Sequence, residues 1–156
     1  MKTRLQNRQN RLRPQTADLK RLALFFLERA VRIDPSLDGE VSVLLMDDEG
    51  MRALNRRFSG RDETTDVLSF RYLPQAGIRG GTTGECMVNA ERALQLGKRH
   101  GGVARELALY IAHACDHLTG ADDADDRQRR RMRRRELRWL REAAARGLLT
   151  EDMVQT

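Results

Sequence analysis

The sequence predicts an α/β or α+β fold in which helices cover a small β-sheet. Helical and extended hydrophobic patterns alternate along the chain, no internal repeat interrupts them, and 156 residues suffice for one domain with a hydrophobic core. Elements that alternate in this way bury their apolar faces as layers around one core. We therefore expect a single domain over residues 17–150, preceded by a basic N-terminal tail over residues 1–16.

The first half of the chain contains two predicted helices and two predicted strands. Apolar residues recur at helical spacing in "TADLKRLALFFLERAVRI", with Thr16 as the expected N-cap. "EVSVLLM" is rich in β-branched and leucine side chains, which is typical of a buried strand. "DDEGMRALNRRFSG" predicts a helix that ends at Gly60. A polar loop then leads into a short strand at Val67–Phe70.

The second half begins with a glycine-rich turn and is mostly helical. "QAGIRGGTTG" (residues 75–84) lacks the phosphate-binding pattern of a nucleotide loop. "ECMVN" predicts a third short strand, and "AERALQLGKRHG" predicts the helix after it. Two longer helices are expected over "VARELALYIAHACDHLTG" and "DRQRRRMRRRELRWLREAAARGLL".

Composition favours a polyanionic partner without establishing one. The formal net charge is +6, and only three of the 29 basic residues are lysine. Guanidinium groups pair bidentately with phosphate, although a run of charge is more often a solvated helix face. No apolar run approaches the ~20 residues of a membrane span, and the start lacks the apolar region of a secretory signal. We expect a cytoplasmic protein with no membrane partner, and reduced core thiols at Cys86 and Cys115.

"HACDHLTGADD" predicts a metal site. On a helix, residues four apart lie one above the other, so His113 and His117 can reach one ion. Gly120 can adopt a positive φ and turn the chain back, which brings Asp123 toward the histidines. The spacing H-x3-H-x2-G-x2-D mirrors the metzincin frame H-E-x-x-H-x-x-G-x-x-H, with an aspartate in the third ligand position.

Other interpretations of the same stretch remain open. The aspartates of residues 122–126 also suit the start of the next helix, with Asp125 or Asp126 as its cap, and Asp122 competes for the ligand role. Asp116 can orient an imidazole, act as a base, or be a solvated or capping residue. A metallopeptidase is disfavoured, because its general-base glutamate would stand where this chain has Ala114.

Three stretches together resemble the YbeY family of bacterial zinc-dependent endoribonucleases. They are "LNRRFSGRDETTDVLSF" (residues 54–70), "GECMVN" (residues 84–89) and "HACDHLTGADD" (residues 113–123), and they occur in the family's order. The likeness covers roughly residues 40–125. It implies an α+β fold, with a small mixed sheet flanked by helices.

The resemblance also implies a function and a ligand set. It implies one Zn²⁺ per chain, held by His113, His117 and Asp123. It further implies single-strand-specific cleavage of RNA in late 16S rRNA 3′ end maturation and in ribosome quality control. The expected partners are 16S precursor rRNA, the small ribosomal subunit and its assembly proteins.

The departures from the family pattern affect the metal, the catalytic residues and the sheet. Asp123 stands where the family has a third histidine, so Fe²⁺ or Mn²⁺ also suits the site. Ser59 stands where the family has an arginine. The candidate catalytic residues are therefore Arg57 and Arg61, with Asp116 as a candidate base. "MKTRLQNRQNRLR" is a poor strand where the family begins with one, so the sheet has lost an edge strand or uses this segment differently.

A second function is left open by these departures. The chain would then be a non-catalytic or weakly catalytic assembly factor that binds rRNA and uses its metal as a structural clamp. Ten arginines between Arg127 and Arg146 favour this alternative, because such a helix can bind a row of phosphates.

Overall fold

The structure, a computed structural model, describes residues 1–73 and 81–156 as an α+β fold with a mixed four-stranded sheet. This confirms the predicted fold class. The strands are β1 (Lys2–Asn7), β2 (Arg13–Pro14), β3 (Glu40–Met46), β4 (Val67–Arg71), β5 (Thr82–Asn89) and β6 (Val154–Gln155). The helices are α1 (Thr16–Ile33), α2 (Asp48–Ser59), α3 (Ala90–Gly97), α4 (Val103–Leu118) and α5 (Asp126–Ala145), with 3₁₀ turns at Pro35–Leu37 and Glu151–Met153.

The main sheet has the strand order β1-β3-β5-β4. β1 and β5 pair with β3 in parallel, and β4 pairs with β5 antiparallel. Cys86 on β5 lies opposite Val43 on β3 and Ser69 on β4. β2 and β6 form a separate antiparallel pair that joins the two ends of the chain.

The expected N-terminal tail is wrong, because residues 2–7 form an edge strand of this sheet. β1 pairs with β3 from Lys2↔Glu40 to Asn7↔Leu45. Its side chains alternate as an edge strand requires: Thr3 is buried and donates to the Val41 carbonyl at 2.9 Å, whereas its neighbours are exposed. Polar and basic side chains suit an edge strand, which faces solvent along one side. Strand pairing therefore overrides the weak β-propensity of the segment.

The two faces of the sheet carry different cores. Val41, Val43 and Leu45 point into the larger core with α1 and α4, and Leu44 points to the opposite face, where Met51 of α2 covers it. This alternation follows from the two-residue period of a strand. α5 packs outside α1 and α4, where Trp139 stacks on Phe26 with 6.4 Å between ring centroids.

Two contacts hold α4 against the sheet. Ser69 donates through its hydroxyl to the carbonyl of Ala114 at 2.8 Å, which fixes the middle of the helix on β4. A Cβ placed on Gly84 would lie 3.1 Å from both methyl carbons of Leu118, so a glycine there permits close approach of the helix end to β5. The C-terminal end of α4 is thereby set rigidly on the sheet.

Smaller expectations have mixed outcomes. α1 begins at Thr16 itself, with Gln15 in the N-cap position and no side-chain cap, so the cap prediction is wrong. Residues 75–80 of the predicted glycine-rich turn lie outside the described residues, and Thr82–Gly84 belong to β5. The two cysteines are buried and form no disulfide. No helix in the described ranges combines the length and the apolarity needed to cross a bilayer.

Candidate metal centre

The C-terminal end of α4 and the turn after it bring together the three predicted metal ligands. His113 and His117 lie one turn apart, with their Nε2 atoms separated by 3.1 Å. Gly120 has φ +85°, and a Cβ there would meet nothing within 4 Å, so its backbone conformation is what the turn requires. After this turn, Oδ2 of Asp123 lies 3.7 Å from the Nε2 of His113 and 3.8 Å from that of His117.

The hydrogen bonds on the far side of each ring set its tautomer. Nδ1 of His113 lies 2.8 Å from the carboxylate of Glu136, and Nδ1 of His117 lies 3.0 Å from the carbonyl of Ala121. Both partners are acceptors, so each Nδ1 carries the proton, and in the neutral rings each Nε2 presents a lone pair. Two lone pairs facing each other at 3.1 Å repel, unless a cation lies between them.

The donor set therefore fits a divalent cation. All three donor atoms lie within 4.8 Å of one another. A tetrahedral zinc with bonds of about 2.0–2.1 Å places neighbouring donors about 3.4 Å apart, and the separations of 3.1, 3.7 and 3.8 Å bracket that value. Two imidazoles and one carboxylate are also a ligand set that suits Fe²⁺ and Mn²⁺.

Glu136 is the residue of this centre that sequence reasoning missed. Its side chain is fully buried on the inner face of α5, between Met132 and Leu140 along the chain. A signal was present, because an acid at a buried position of a predicted helix needs a polar partner. Its partner is the ring of His113, held across the α4–α5 interface.

The pKa of His113 is raised above its usual value. Burial alone lowers the pKa of this imidazole, but the hydrogen bond to Glu136 and the negative charges of Glu136, Asp66 and Asp123 outweigh that effect. The same negative charges favour any cation at the Nε2 side of the ring. Asp66, whose carboxylate also accepts from the Val67 backbone at 2.9 Å at the start of β4, adds to this field.

Asp116 lies in the protein interior rather than on the open side of the centre. None of its side chain is exposed, and it forms an ion pair with Arg135 of α5. The pKa of Asp116 is raised to about 7. Burial raises this pKa most, Arg135 lowers it, and the neighbouring Glu136 raises it further. A base must touch the reacting water or substrate, so the position of Asp116 suits a positioning role behind His113.

The remaining aspartates of the turn have separate roles. Asp125 accepts from the backbone of Gln128 at 2.8 Å and so caps α5, as one interpretation of the acidic run expected. Asp122 is exposed, and within the described ranges it forms no hydrogen bond or ion pair with either histidine. Arg129 pairs with Asp126, and its guanidinium reaches to 3.5 Å from the backbone carbonyl of Asp123. Capping and ligand roles thus coexist in one short segment.

The candidate catalytic arginines lie at the end of α2 and in the loop that follows it. Arg57 is near the end of α2, exposed, with its guanidinium 5.4 Å from the ring centroid of Phe58. Arg61 is exposed in the following loop, beyond Gly60, which ends α2 with φ +70°. Neither makes a hydrogen bond or ion pair to the three ligands within the part of the chain that the structure describes. Their catalytic role stays a prediction.

Comparison with known proteins assigns the chain to a family. The sequence model of the family described as Endoribonuclease YbeY matches residues 4–144, which is most of the chain. The chain belongs to the YbeY endoribonuclease family. The family resemblance noted in the sequence is confirmed, and the match extends beyond residues 40–125 in both directions.

Relatives within the YbeY family are moderately similar to this chain. The Endoribonuclease YbeY of Elusimicrobium minutum is 35% identical over 96 residues, which cover 60% of this chain and 67% of that protein. That of Nitratiruptor sp. is 39% identical over 90 residues (57% and 60%), and that of Koribacter versatilis is 35% identical over 113 residues (72% and 71%). The chain thus spans roughly two thirds of the length of these curated relatives.

A solved structure also shares the fold. The solution structure of TM1509 from Thermotoga maritima superposes with a TM-score of 0.60 over 93% of this chain and 91% of that one, at 22% sequence identity. The shared fold thus extends to the strands and helices outside the three motif stretches.

Proposed function

We propose that this chain is a metal-dependent endoribonuclease that cleaves single-stranded RNA, acting on precursor 16S rRNA in late 3′ end maturation and in ribosome quality control. The observation that carries the proposal is the convergence of His113, His117 and Asp123 at the end of α4, in a chain of the YbeY endoribonuclease family. Its partners would be the small ribosomal subunit and its assembly proteins, which places its work in the cytoplasm.

The residues of the centre support this chemistry through position and charge. A bound divalent cation supplies electrophilic polarisation of a phosphoryl oxygen or acidification of a bound water. Nδ1 of His113 donates to Glu136, and Nδ1 of His117 donates to the Ala121 carbonyl. Both rings are therefore held in the tautomer that leaves Nε2 free to bind a cation. Exposed arginines, with Arg57 and Arg61 as candidates, would neutralise the phosphate charge that increases in the transition state.

The aspartate ligand lowers the net charge of the centre. Two neutral imidazoles and one carboxylate around M²⁺ give a net charge of +1, where three imidazoles give +2. If His113, His117 and Asp123 hold such an ion, it would acidify a water less than the pKa of about 7 that three neutral ligands would give. Zn²⁺ remains the first candidate from the family resemblance, and Fe²⁺ and Mn²⁺ are the alternatives.

Metal analysis combined with RNA cleavage tests the proposal. Wild type purified without chelator should contain about one equivalent of metal and cleave a labelled single-stranded RNA, and His117→Ala should lose both properties. The control is His100→Ala, because His100 precedes the opposite end of α4 and pairs with Glu106 at 3.1 Å. A protein without metal, or cleavage that persists in His117→Ala, would contradict the proposal.

Two alternatives are separated by the same measurements. The arginines of α5 favour an rRNA-binding assembly factor with a structural metal, which would bind metal and RNA without metal-dependent cleavage. A peptidase lacks support, because Ala114 is buried and occupies the position of the general-base glutamate. Casein degradation that His117→Ala abolishes would reinstate the peptidase.

A further inference from the structure

One face of α5 carries a row of arginines that no structural element of the described chain covers. Arg127, Arg131, Arg134, Arg138 and Arg141 follow one another at spacings of four and three residues, and all five are exposed. At 1.5 Å per residue the row extends over about 21 Å of helix. These five residues are called the arginine row below.

The opposite face of the same helix accounts for its packing. Met132, Glu136, Trp139, Leu140 and Ala143 are buried against the rest of the protein. At about 100° of rotation per residue, these positions lie opposite the arginine row. The arginine row therefore contributes nothing to the core, and packing does not explain why these positions are arginine.

The positive charge of the row is not neutralised locally. The only acids of α5 are Asp126, Glu136 and Glu142. Asp126 pairs with Arg129, Glu136 holds the ring of His113, and Glu142 pairs with Arg29 at 3.0 Å. Within residues 1–73 and 81–156, none of the five arginines of the row forms an ion pair. Like charges three and four residues apart repel and destabilise a helix, so the row opposes folding.

The row is connected to the metal centre by the start of α5. Arg127 follows the ligand Asp123 by only four residues. Arg129, Arg133 and Arg130 lie, by their helical spacing, between the Glu136 face and the row, and all three are exposed. Since Arg129 already reaches the Asp123 carbonyl, positive charge continues round the helix from the centre to the row.

We infer that the arginine row is a docking surface for the phosphates of single-stranded RNA. α5 positions the row so that one end of the bound strand lies beside the metal centre. The inference rests on the proposed function for its choice of RNA. Guanidinium groups bind phosphate oxygens in a bidentate manner, and a regular, unpaired row of them complements a polyanionic backbone. Such contacts carry no sequence preference, so the row supplies affinity and direction.

Salt-dependent RNA binding tests the inference separately from catalysis. The probe is a fluorescein-labelled oligouridine, and fluorescence anisotropy is measured at several salt concentrations with chelator-treated full-length protein. The variant changes the five arginines of the row to glutamine. The matched control changes five exposed cations elsewhere that form no ion pair with any described residue: Lys2→Gln, Arg8→Gln, Arg13→Gln, Lys20→Gln and Lys98→Gln.

The two five-residue variants should differ although they lose the same charge. Each phosphate contact on a single strand contributes about 0.7 to the slope of log affinity against log salt, so removing the row should reduce that slope by about 3 to 4 and weaken binding roughly tenfold or more at low salt. The control should change the slope by less than about 1. Equal effects of the two variants would overturn the inference, as would an unchanged slope in the row variant.

Further arms keep the outcome decisive. If the row variant is unfolded by circular dichroism, Arg134→Gln/Arg138→Gln replaces it, with an expected decrease in slope of about 1.4. With metal-loaded protein, loss of the row should raise KM for RNA and leave kcat unchanged. If the wild type binds RNA through the row but cleaves none, this inference is supported and the proposed function is wrong. If the row variant is active with an unchanged KM, the proposed function is supported and this inference is wrong. Row-dependent binding to phosphatidylserine vesicles without row-dependent RNA binding would overturn it.

Discussion

Oε2 of Glu136 lies 2.8 Å from Nδ1 of His113, so a carboxylate buried on α5 orients a candidate metal ligand on α4. Because the carboxylate can only accept, it fixes the proton on Nδ1 and directs the lone pair of Nε2 toward the candidate metal. The metal centre is thus assembled by two helices, although all three of its ligands lie within eleven consecutive residues.

Glu136→Gln should weaken metal affinity without removing a ligand. Outer partners of this kind contribute about 10–100-fold in affinity, and the amide removes the negative charge and leaves only a neutral oxygen to accept from Nδ1–H. Competition with a chromophoric chelator measures the change. Glu142→Gln is the matched control, since Glu142 is on the same helix and is also ion-paired, but with Arg29. A Glu136→Gln protein with wild-type affinity would show that the contact does not orient the ligand.

Gly120→Ala should reduce both stability and metal affinity. The residue has φ +85°, where a Cβ costs about 1–2 kcal/mol, and relaxation of this strain moves Asp123 away from the histidines. Gly60→Ala is a close control, because Gly60 has φ +70° and open space around its Cβ position as well. Denaturation should give similar losses of stability for both variants, whereas isothermal titration should give weaker metal binding only for Gly120→Ala. Equal metal affinity in the Gly120→Ala and Gly60→Ala variants would show that the turn at Gly120 does not contribute to metal binding.

The convergence of the three candidate metal ligands could be predicted from sequence because their geometry is local. Two positions on one helical face and one glycine turn place His113, His117 and Asp123 together without reference to the rest of the chain. Glu136 could not be assigned to the centre in this way. Its role depends on how α5 crosses α4, which is a tertiary relationship that helical periodicity does not specify.

The strands of the sheet also divide into those that the sequence predicts and one that it does not. β3 and β5 have the composition of buried strands and were predicted, although β5 begins three residues earlier than expected. β1 was missed because its residues have little β-propensity, and it exists through hydrogen bonds to β3 at the edge. The mixed character of the sheet followed from the family resemblance and not from the hydrophobic pattern, and the strand order was not predicted.

Replacing both residues of the Asp116–Arg135 ion pair by apolar residues should preserve stability, whereas replacing Arg135 alone should reduce it. Arg135→Leu leaves Asp116, with none of its side chain exposed, without its cation, and breaking such a pair costs about 3 kcal/mol or more. Asp116→Leu/Arg135→Leu should be as stable as wild type or more stable, because it removes the desolvation of both charges. Urea denaturation measures the difference. A double variant as unstable as the single one would mean that the pair makes a net contribution to stability.

The pH dependence of the metal-free protein provides a second test of this pair. The pKa of Asp116 is raised to about 7 from its ordinary 3.8, so the folded state binds an additional proton between these values. The free energy of unfolding should therefore decrease as the pH rises through this range, in addition to contributions from other groups. The Leu/Leu variant should show a shallower decrease than wild type. Parallel pH profiles for the two proteins would show that Asp116 titrates normally.

Asp123→Ala and Asp122→Ala should differ in metal binding although the residues are adjacent. Oδ2 of Asp123 lies 3.7 and 3.8 Å from the two Nε2 atoms, whereas Asp122 is exposed and, among the described residues, forms no hydrogen bond or ion pair with either ring. Loss of a direct ligand should weaken affinity by more than about 100-fold, the upper end for an outer partner. Loss of Asp122 changes the net charge equally and should have little effect. Asp123→His should keep tight zinc binding, because three imidazoles also form a tetrahedral zinc site. Metal content by mass spectrometry after dialysis ranks the three variants, and an Asp123→Ala protein that retains its metal would remove the carboxylate from the ligand set.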